Sequence, residues 1–124
     1  MLGLPPSVRV YLAPGPTDMR KGFDGLAVAA QNLIGESPTC GHLFAFCNRS
    51  RNRLKVLWWD GSGLVVFAKR LEKGTFKWPR SPGEGQTSVE LSPQELSLIL
   101  AGLDLDKASR RDWWRLAPNR KQAS

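Results

Sequence analysis

Apolar residues along this chain change their spacing several times, and these changes divide it into strands, helices and turns. Residues 8–13 combine β-branched and aromatic side chains and end at a Pro-Gly-Pro turn, which predicts a first strand. Apolar positions then recur every three or four residues from Phe23 to Ile34, and Gly35 follows them. This spacing predicts an amphipathic helix that covers one face of a sheet and ends at Gly35.

The start of this helix is marked less sharply than its end. Thr17 and Asp18 both carry side chains that can accept hydrogen bonds from a helix N-terminus, so we expect one of them to cap it. Gly22 and Gly25 each weaken the first turns by about 1 kcal/mol relative to alanine. The sequence therefore does not determine which residue begins the helix.

Three apolar stretches separated by short turns follow the helix. Residues 42–48 carry apolar side chains on both alternating faces, as is typical of a central strand buried on one side and partly covered on the other. Residues 54–59 and 64–71 form the next two strands, joined by Asp-Gly-Ser-Gly at positions 60–63. The short connections predict a three-stranded antiparallel meander.

Alternation along the middle strand of this meander separates two faces. One face is entirely apolar and is expected to be core: Leu54, Val56 and Trp58. The opposite face includes a cation: Lys55, Leu57 and Trp59. The register between this strand and the next is not fixed by the sequence.

The C-terminal third contains the clearest local signal. Residues 80–86 predict a loop rich in Ser, Pro and Gly, and residues 87–91 predict a short edge strand. Ser92 and Glu95 form a capping box with proline between them, and apolar residues follow at helical spacing. We expect this short helix to end near Gly102 and to close one edge of the sheet.

These elements predict an α+β fold, an antiparallel β-meander with one helix packed on the sheet and a short C-terminal helix. Their order is β-α-β-β-β-(β)-α, and the first strand can pair in either orientation. We expect residues 1–106 to form a single domain, which the length of 124 residues allows. Residues 107–124 form a basic C-terminal tail with Trp113 and Trp114, and its few apolar residues cannot make a core of their own.

The charge balance favours an acidic partner. The chain has 18 Lys+Arg against 11 Asp+Glu, a net charge of +7, which suits nucleic acid or an anionic surface. Charge alone does not choose between them. No leader pattern and no run of about 18 apolar residues occurs, so we expect a cytoplasmic protein that is not in the membrane.

Metal or nucleophilic chemistry is not favoured by the sequence. Cys40 and Cys47 flank the single histidine, His42, at a spacing that is not usual for zinc, so we expect buried free thiols and a satisfied, partly buried histidine. No phosphate-binding glycine loop is present. We therefore expect neither a metal nor another cofactor.

Three carboxylates are placed prominently enough to consider a metal-dependent nuclease: Asp18, Asp24 and Asp60. Each has a structural explanation, at a helix N-terminus, in the first helical turn and at the start of a hairpin turn respectively. We therefore expect a protein that is not an enzyme.

The candidate nucleic-acid-binding residues are cations that can neutralise phosphates and aromatics that can stack on bases. They are Arg20, Lys21, Arg49, Arg51, Arg53, Lys55, Trp59, Lys69, Arg70, Lys73, Lys77 and Trp78. A solvated loop is the alternative for the arginine turn, and core packing is the alternative for the tryptophans. Arg20 and Lys21 can equally face a partner's acidic groups, or Asp60 and Glu72 within the fold.

Three motifs in residues 17–26, 55–64 and 69–79 resemble the TnpB-type (second open reading frame) accessory proteins of insertion sequence family sixty-six. The likeness covers residue 8 to about residue 104 and leaves the tail outside. It implies an accessory role in DNA transposition beside a separate transposase that carries the acidic catalytic residues. The implied partners are DNA, the transposase and the other accessory protein of the same element. The RNA-guided nuclease that shares the TnpB name is a different protein.

Two functional hypotheses follow from the charge, the candidate residues and the resemblance. The first is a non-catalytic accessory protein that binds nucleic acid through a basic, aromatic-bearing sheet and the arginine turn, with an affinity that depends strongly on salt. The alternative is an adaptor that assembles with the transposase without specific DNA contacts. Its contact surface would be apolar and include Phe76, Trp78 or the tryptophans of the tail.

Overall fold

The computed structural model describes residues 7–35, 37–78 and 88–102 of the chain. Its elements, in chain order, are β1 (Val10–Leu12), α1 (Phe23–Ile34), β2 (Leu43–Cys47), β3 (Arg53–Trp59), β4 (Leu64–Arg70), β5 (Val89–Leu91) and α2 (Pro93–Leu100). The predicted α+β class and element order are confirmed. The predicted loop at 80–86 and the tail at 107–124 lie outside the described residues.

The five strands form one sheet in the order β4-β3-β2-β1-β5. β2, β3 and β4 pair antiparallel as the predicted meander. β1 pairs parallel with β2, with Val10 opposite Leu43, and antiparallel with β5. The parallel pairing follows from α1, since parallel neighbours need a crossover connection and α1 supplies it. β5 is the short edge strand that the sequence predicted.

Both faces of the sheet are covered. On one face, Leu26 and Ala30 of α1 pack with Phe44, Phe46 and Leu57. On the opposite face, apolar side chains of α2 and of the segment after β4 join the strands in a larger cluster. β2 is accordingly buried along its whole length, more completely than predicted, and Leu57 is core although its face of β3 was expected to be the charged one.

The second helix does not close an edge of the sheet, so that expectation was wrong. Leu96, Ile99 and Leu100 of α2 belong to the same buried cluster as Leu12 and Leu43. β5 leads directly into α2, and the helix then covers the sheet face opposite α1. The sheet is therefore the middle layer between two helices.

The C-terminal end of α1 is confirmed and its N-terminal cap is corrected. Gly35 is left-handed, with φ of 78°, and its N–H bonds the Gln31 carbonyl at 3.2 Å. The N-cap is Gly22, with no capping side chain among the described residues, and not Thr17 or Asp18. Phe23, which we expected to cover the sheet, is 52% exposed.

The capping box of α2 is confirmed in both directions. The Glu95 N–H donates to the Ser92 hydroxyl at 3.2 Å, and the Ser92 N–H donates to the Glu95 carboxylate at 3.0 Å. Pro93 opens the helix, and Gly102 follows it with φ of 84°. Within the described residues, neither helix has the length and apolar character needed to cross a membrane.

Candidate nucleic-acid interface

The turn between β2 and β3 is held together by the side chain of Asn48. Its Oδ1 accepts hydrogen bonds from the backbone N–H groups of Asn52 and Arg53, both at 3.0 Å. Its Nδ2 donates to the side chain of Asn52 at 2.8 Å. Asparagine suits such turns because its side chain replaces missing backbone partners. The arginines of this turn are therefore presented from a fixed backbone.

The three arginines of the turn do not share one environment. Arg49 and Arg53 are exposed, and neither side chain makes a hydrogen bond or ion pair with any residue that the structure describes. Arg51 is turned inward, with its guanidinium 5.9 Å from the centroid of the Trp78 ring. Its Nη2 donates to the Pro14 carbonyl at 3.5 Å, and its Nη1 is buried without a partner in the described part of the chain.

Trp78 is tied to the fold by three contacts. Its indole N–H donates to the Ala13 carbonyl at 2.9 Å, and its ring packs against the cluster on the α2 face. Two residues earlier, the Phe76 N–H donates to the Arg51 carbonyl at 2.6 Å. The Arg51 guanidinium lies over the Trp78 ring at cation–π distance. Together these contacts join the end of β1, the arginine turn and the segment after β4.

Two open clefts of about 520 and 530 Å³ lie at the end of the sheet that carries the turn between β2 and β3. They adjoin, because Met19 and Arg53 line both, and we call their combined surface the basic cleft. Its cationic lining residues are Arg20, Arg49, Arg53, Lys55, Lys69 and Arg70, and its acidic ones are Asp18 and Glu72. Met19 lines both clefts and was not predicted as a site residue; its partly buried side chain packs against the cluster under α1.

Both acidic side chains of the basic cleft are engaged by its cations. The Arg20 guanidinium donates hydrogen bonds to the Asp18 carboxylate, from Nη2 at 2.8 Å and from Nε at 3.1 Å. The hydrogen bonds from Arg20 lower the pKa of Asp18 to about 2. Arg70 bonds Glu72 at 3.2 Å. All four side chains are largely exposed, so an anionic ligand can compete for these arginines.

The lysines of the cleft have backbone partners. Lys55 Nζ donates to the Lys21 carbonyl at 2.9 Å, which ties β3 to the loop before α1. Lys69 lies on the other face of β4, where its Nζ donates to the Leu100 carbonyl at 2.8 Å, at the C-terminal end of α2. Each lysine therefore fixes an element of the fold. Among the described residues, the lining cations whose side chains have no hydrogen-bonded or ionic partner are therefore Arg49 and Arg53.

The remaining predicted site residues are not brought into the cleft. Trp59 ends β3 opposite Leu64, about 20 Å along the strand from Arg53. α1 covers the sheet between them, so the strands do not form an open stacking platform. Lys73 and Lys77 are exposed on the segment after β4, and Lys21 is exposed beside Arg20.

The family described as IS66 Orf2 like protein matches residues 8–110 of this chain. The chain belongs to that family. Its similar relatives include "Uncharacterized protein y4hO" of Sinorhizobium fredii, 45% identical over 98 residues that cover 79% of this chain and 83% of the relative. "Uncharacterized protein y4jC" of the same species is 34% identical over 111 residues, which cover 90% and 92%. No solved structure matches at a significant level.

Membership in the IS66 Orf2 like family confirms the resemblance seen in the three motifs. The matched region ends at residue 110, slightly beyond the limit near residue 104 that the motifs suggested. The family links this protein to insertion sequences and to transposition. Both relatives are described as uncharacterized proteins, so they assign no chemistry to the basic cleft.

The three carboxylates considered for metal chemistry lie apart in this IS66 Orf2 like protein. Asp60 accepts hydrogen bonds from the N–H groups of Ser62 and Gly63 at 2.9 and 3.0 Å, and the Ser62 bond is the main cause of its lowered pKa. Asp24 lies in the first turn of α1, as predicted, and Asp18 is engaged by Arg20. Among the described residues, no three His, Cys, Asp or Glu side chains could hold a metal ion together.

The two cysteines and the single histidine of this IS66 Orf2 like protein differ in their exposure and in their partners. Both cysteines are free, but Cys40 is exposed, which corrects the expectation of two buried thiols. Burial raises the pKa of the Cys47 thiol, and the nearby Arg51 partly opposes that effect. His42 is partly buried, as predicted, and its Nδ1 accepts the Arg9 N–H at 3.0 Å.

Proposed function

We propose that this protein is a non-catalytic accessory protein of DNA transposition that binds nucleic acid by its phosphates in the basic cleft. Family membership supports the process, and the cleft supports the ligand. The carrying observation is the pair of exposed residues Arg49 and Arg53, whose guanidinium groups have no partner in the described part of the chain, on a turn fixed by Asn48. The protein would act in the cytoplasm, beside the transposase and the other accessory protein of the same element.

Phosphate is the anion that this arrangement suits best. The planar guanidinium of arginine makes two parallel hydrogen bonds to phosphate oxygens, which lysine cannot do. Arg53 stands directly opposite Arg70 in the sheet, and Lys55 follows two residues later on the same face, about 7 Å along the strand. The cations thus form a row that can follow a chain of phosphates.

Two of the candidate nucleic-acid-binding residues receive a different role in this proposal. Arg51 and Trp78 hold each other and the surrounding loops, so we assign them to support of the turn and not to ligand contact. Lys21, Lys73 and Lys77 are exposed outside the cleft and would add to its positive field. Trp59 is too far along β3 to act with the arginines.

The test is a salt titration of binding to labelled element-end DNA and to an unrelated duplex. Wild-type protein is compared with Arg49→Ala and Arg53→Ala, and with Arg9→Ala as a control of equal charge change. Arg9 is exposed and bonds Glu90 at 2.7 Å, away from the cleft. The slope of log affinity against log salt is negative, and losing one phosphate contact should reduce its magnitude by about 0.9, whereas Arg9→Ala should leave it nearly unchanged.

Equal effects of all three substitutions would show that only the net charge matters and would contradict a phosphate site in the cleft. The adaptor function would then be preferred, with binding to the purified transposase as its direct assay. Phe76 cannot belong to the adaptor surface predicted from the sequence, because its side chain is only 2% exposed. Preference for element-end DNA over the unrelated duplex would place sequence recognition on this protein.

A further inference from the structure

An exposed phenylalanine begins α1. Phe23 lies on the same helical face as Leu26 and Ala30, at spacings of three and seven residues. Those two side chains are fully buried under the helix, whereas Phe23 is 52% exposed. The apolar face of α1 therefore continues past the covered part of the sheet and ends in an accessible aromatic ring. A single exposed apolar residue is common, so its surroundings must decide whether it has a role.

Two cations, Arg20 and Lys21, come shortly before Phe23 in the chain. Arg20, three residues earlier, lines the basic cleft. The Lys21 carbonyl is held by Lys55, which also lines the cleft. The Lys21 side chain lies along the first turn of the helix, since a Cβ added at Gly25 would stand 3.1 Å from the Cβ of Lys21. The N-terminal end of α1 is thus fixed against the wall of the cleft.

Phe23 is accessible over about half of its surface, and the residue before it carries no side chain. Outside its two chain neighbours, a Cβ built at Gly22 would meet no atom within 4 Å. Residues 20–23 therefore carry two exposed cationic side chains, a glycine and an exposed aromatic ring in succession. The other exposed large apolar residues of α1, Val28 and Leu33, have no aromatic ring and lie further along the helix. Phe23 alone among these three combines a ring with neighbouring cations.

We propose that Phe23 stacks on an unpaired base of single-stranded DNA whose phosphates lie in the basic cleft. This inference rests on the proposed function and specifies its ligand. A positively charged groove beside an accessible aromatic ring is the arrangement by which proteins hold single strands. The bases of an intact duplex are stacked on one another, so they offer the ring no free face. The cleft should therefore prefer a single strand over a duplex.

The experiment compares three labelled ligands of equal length at one salt concentration: a thymidine single strand, a strand of abasic residues and a duplex. The abasic strand keeps the phosphates and lacks the bases. Phe23→Ala should weaken binding of the thymidine strand by roughly five- to a hundredfold and leave the abasic strand unchanged. Phe23→Trp should keep the affinity, because it restores an aromatic face. Val28→Ala and Leu33→Ala are controls on the same helix and should have no effect.

The outcomes separate this inference from the proposed function. If Phe23→Ala weakens binding of the thymidine and abasic strands equally, or weakens binding of neither strand, then Phe23 does not stack on a base. The phosphate site still stands in that case if Arg49→Ala weakens both strands. If no ligand binds in an arginine-dependent way, the proposed function fails and the inference fails with it. Loss of transposase binding on Phe23→Ala, with DNA binding intact, would make the ring a protein contact and overturn the inference. Circular dichroism checks that each variant is folded.

Discussion

Arg51 has a left-handed backbone, with φ of 62°, which no other described residue except glycine adopts. A side chain raises the energy of that conformation by about 1–2 kcal/mol, so surrounding contacts must stabilise it. The contacts with Trp78, Pro14 and Phe76 supply that stabilisation. Arg49 and Arg53 lack comparable contacts in the described structure. The same residue type thus has a structural role at one position of the turn and is available to a ligand at the next.

We predict that Arg51→Ala lowers the free energy of unfolding by about 1–2 kcal/mol, because it removes the stacking on Trp78 and leaves the strained backbone. Arg51→Gly should cost about 1 kcal/mol less, since glycine adopts positive φ without strain. Urea unfolding of the three proteins measures both differences. Arg49→Ala is the control and should unfold like the wild type. A glycine variant less stable than the alanine variant would contradict the backbone argument.

At the scale of elements, α2 combines a local start signal with long-range packing. Its capping box satisfies two backbone N–H donors at the N-terminus, while Leu96 and Ile99 pack under the sheet. The helix has only eight residues, too few to be stable alone in water. Its stability therefore comes from the cap and the core acting together.

We predict that Ser92→Ala lowers the free energy of unfolding by about 1 kcal/mol, as loss of an N-cap usually does. The control is Ser97→Ala in the same helix. Ser97 is exposed and its hydroxyl only donates back to the Pro93 carbonyl at 3.1 Å, so its removal should change stability little. Thermal or urea unfolding of the two variants measures the difference. Equal effects from both serines would mean that the cap does not stabilise this helix.

Elements with local signals could be predicted from the sequence, and their placement could not. The capping box of α2, the stop at Gly35 and the Asp60 turn each depend on a few neighbouring residues. The position of α2 on the second sheet face depends on contacts between residues far apart in the chain. The same holds for the candidate site, because the inward turn of Arg51 requires Trp78, 27 positions later.

At the scale of the whole molecule, a net charge of +7 makes two kinds of DNA binding possible. Generic attraction acts on the folded and the unfolded chain alike, because both carry the same cations. Binding in the basic cleft requires the folded arrangement of the turn, β3 and the loop before α1. Only the second kind raises the stability of the fold, since a ligand stabilises a protein to the extent that it prefers the native state.

We therefore predict that a single-stranded oligonucleotide raises the unfolding temperature of the wild-type protein. At about 100 times the dissociation constant, a ligand specific for the native state adds about 2.7 kcal/mol. Arg49→Ala combined with Arg53→Ala should lose most of this gain, whereas Arg9→Ala should keep it. High salt should remove the gain in every protein, because it screens the phosphate contacts. Thermal unfolding with and without oligonucleotide is the measurement. A protein that binds the strand without gaining stability would hold it by charge alone, and the cleft would not be the site.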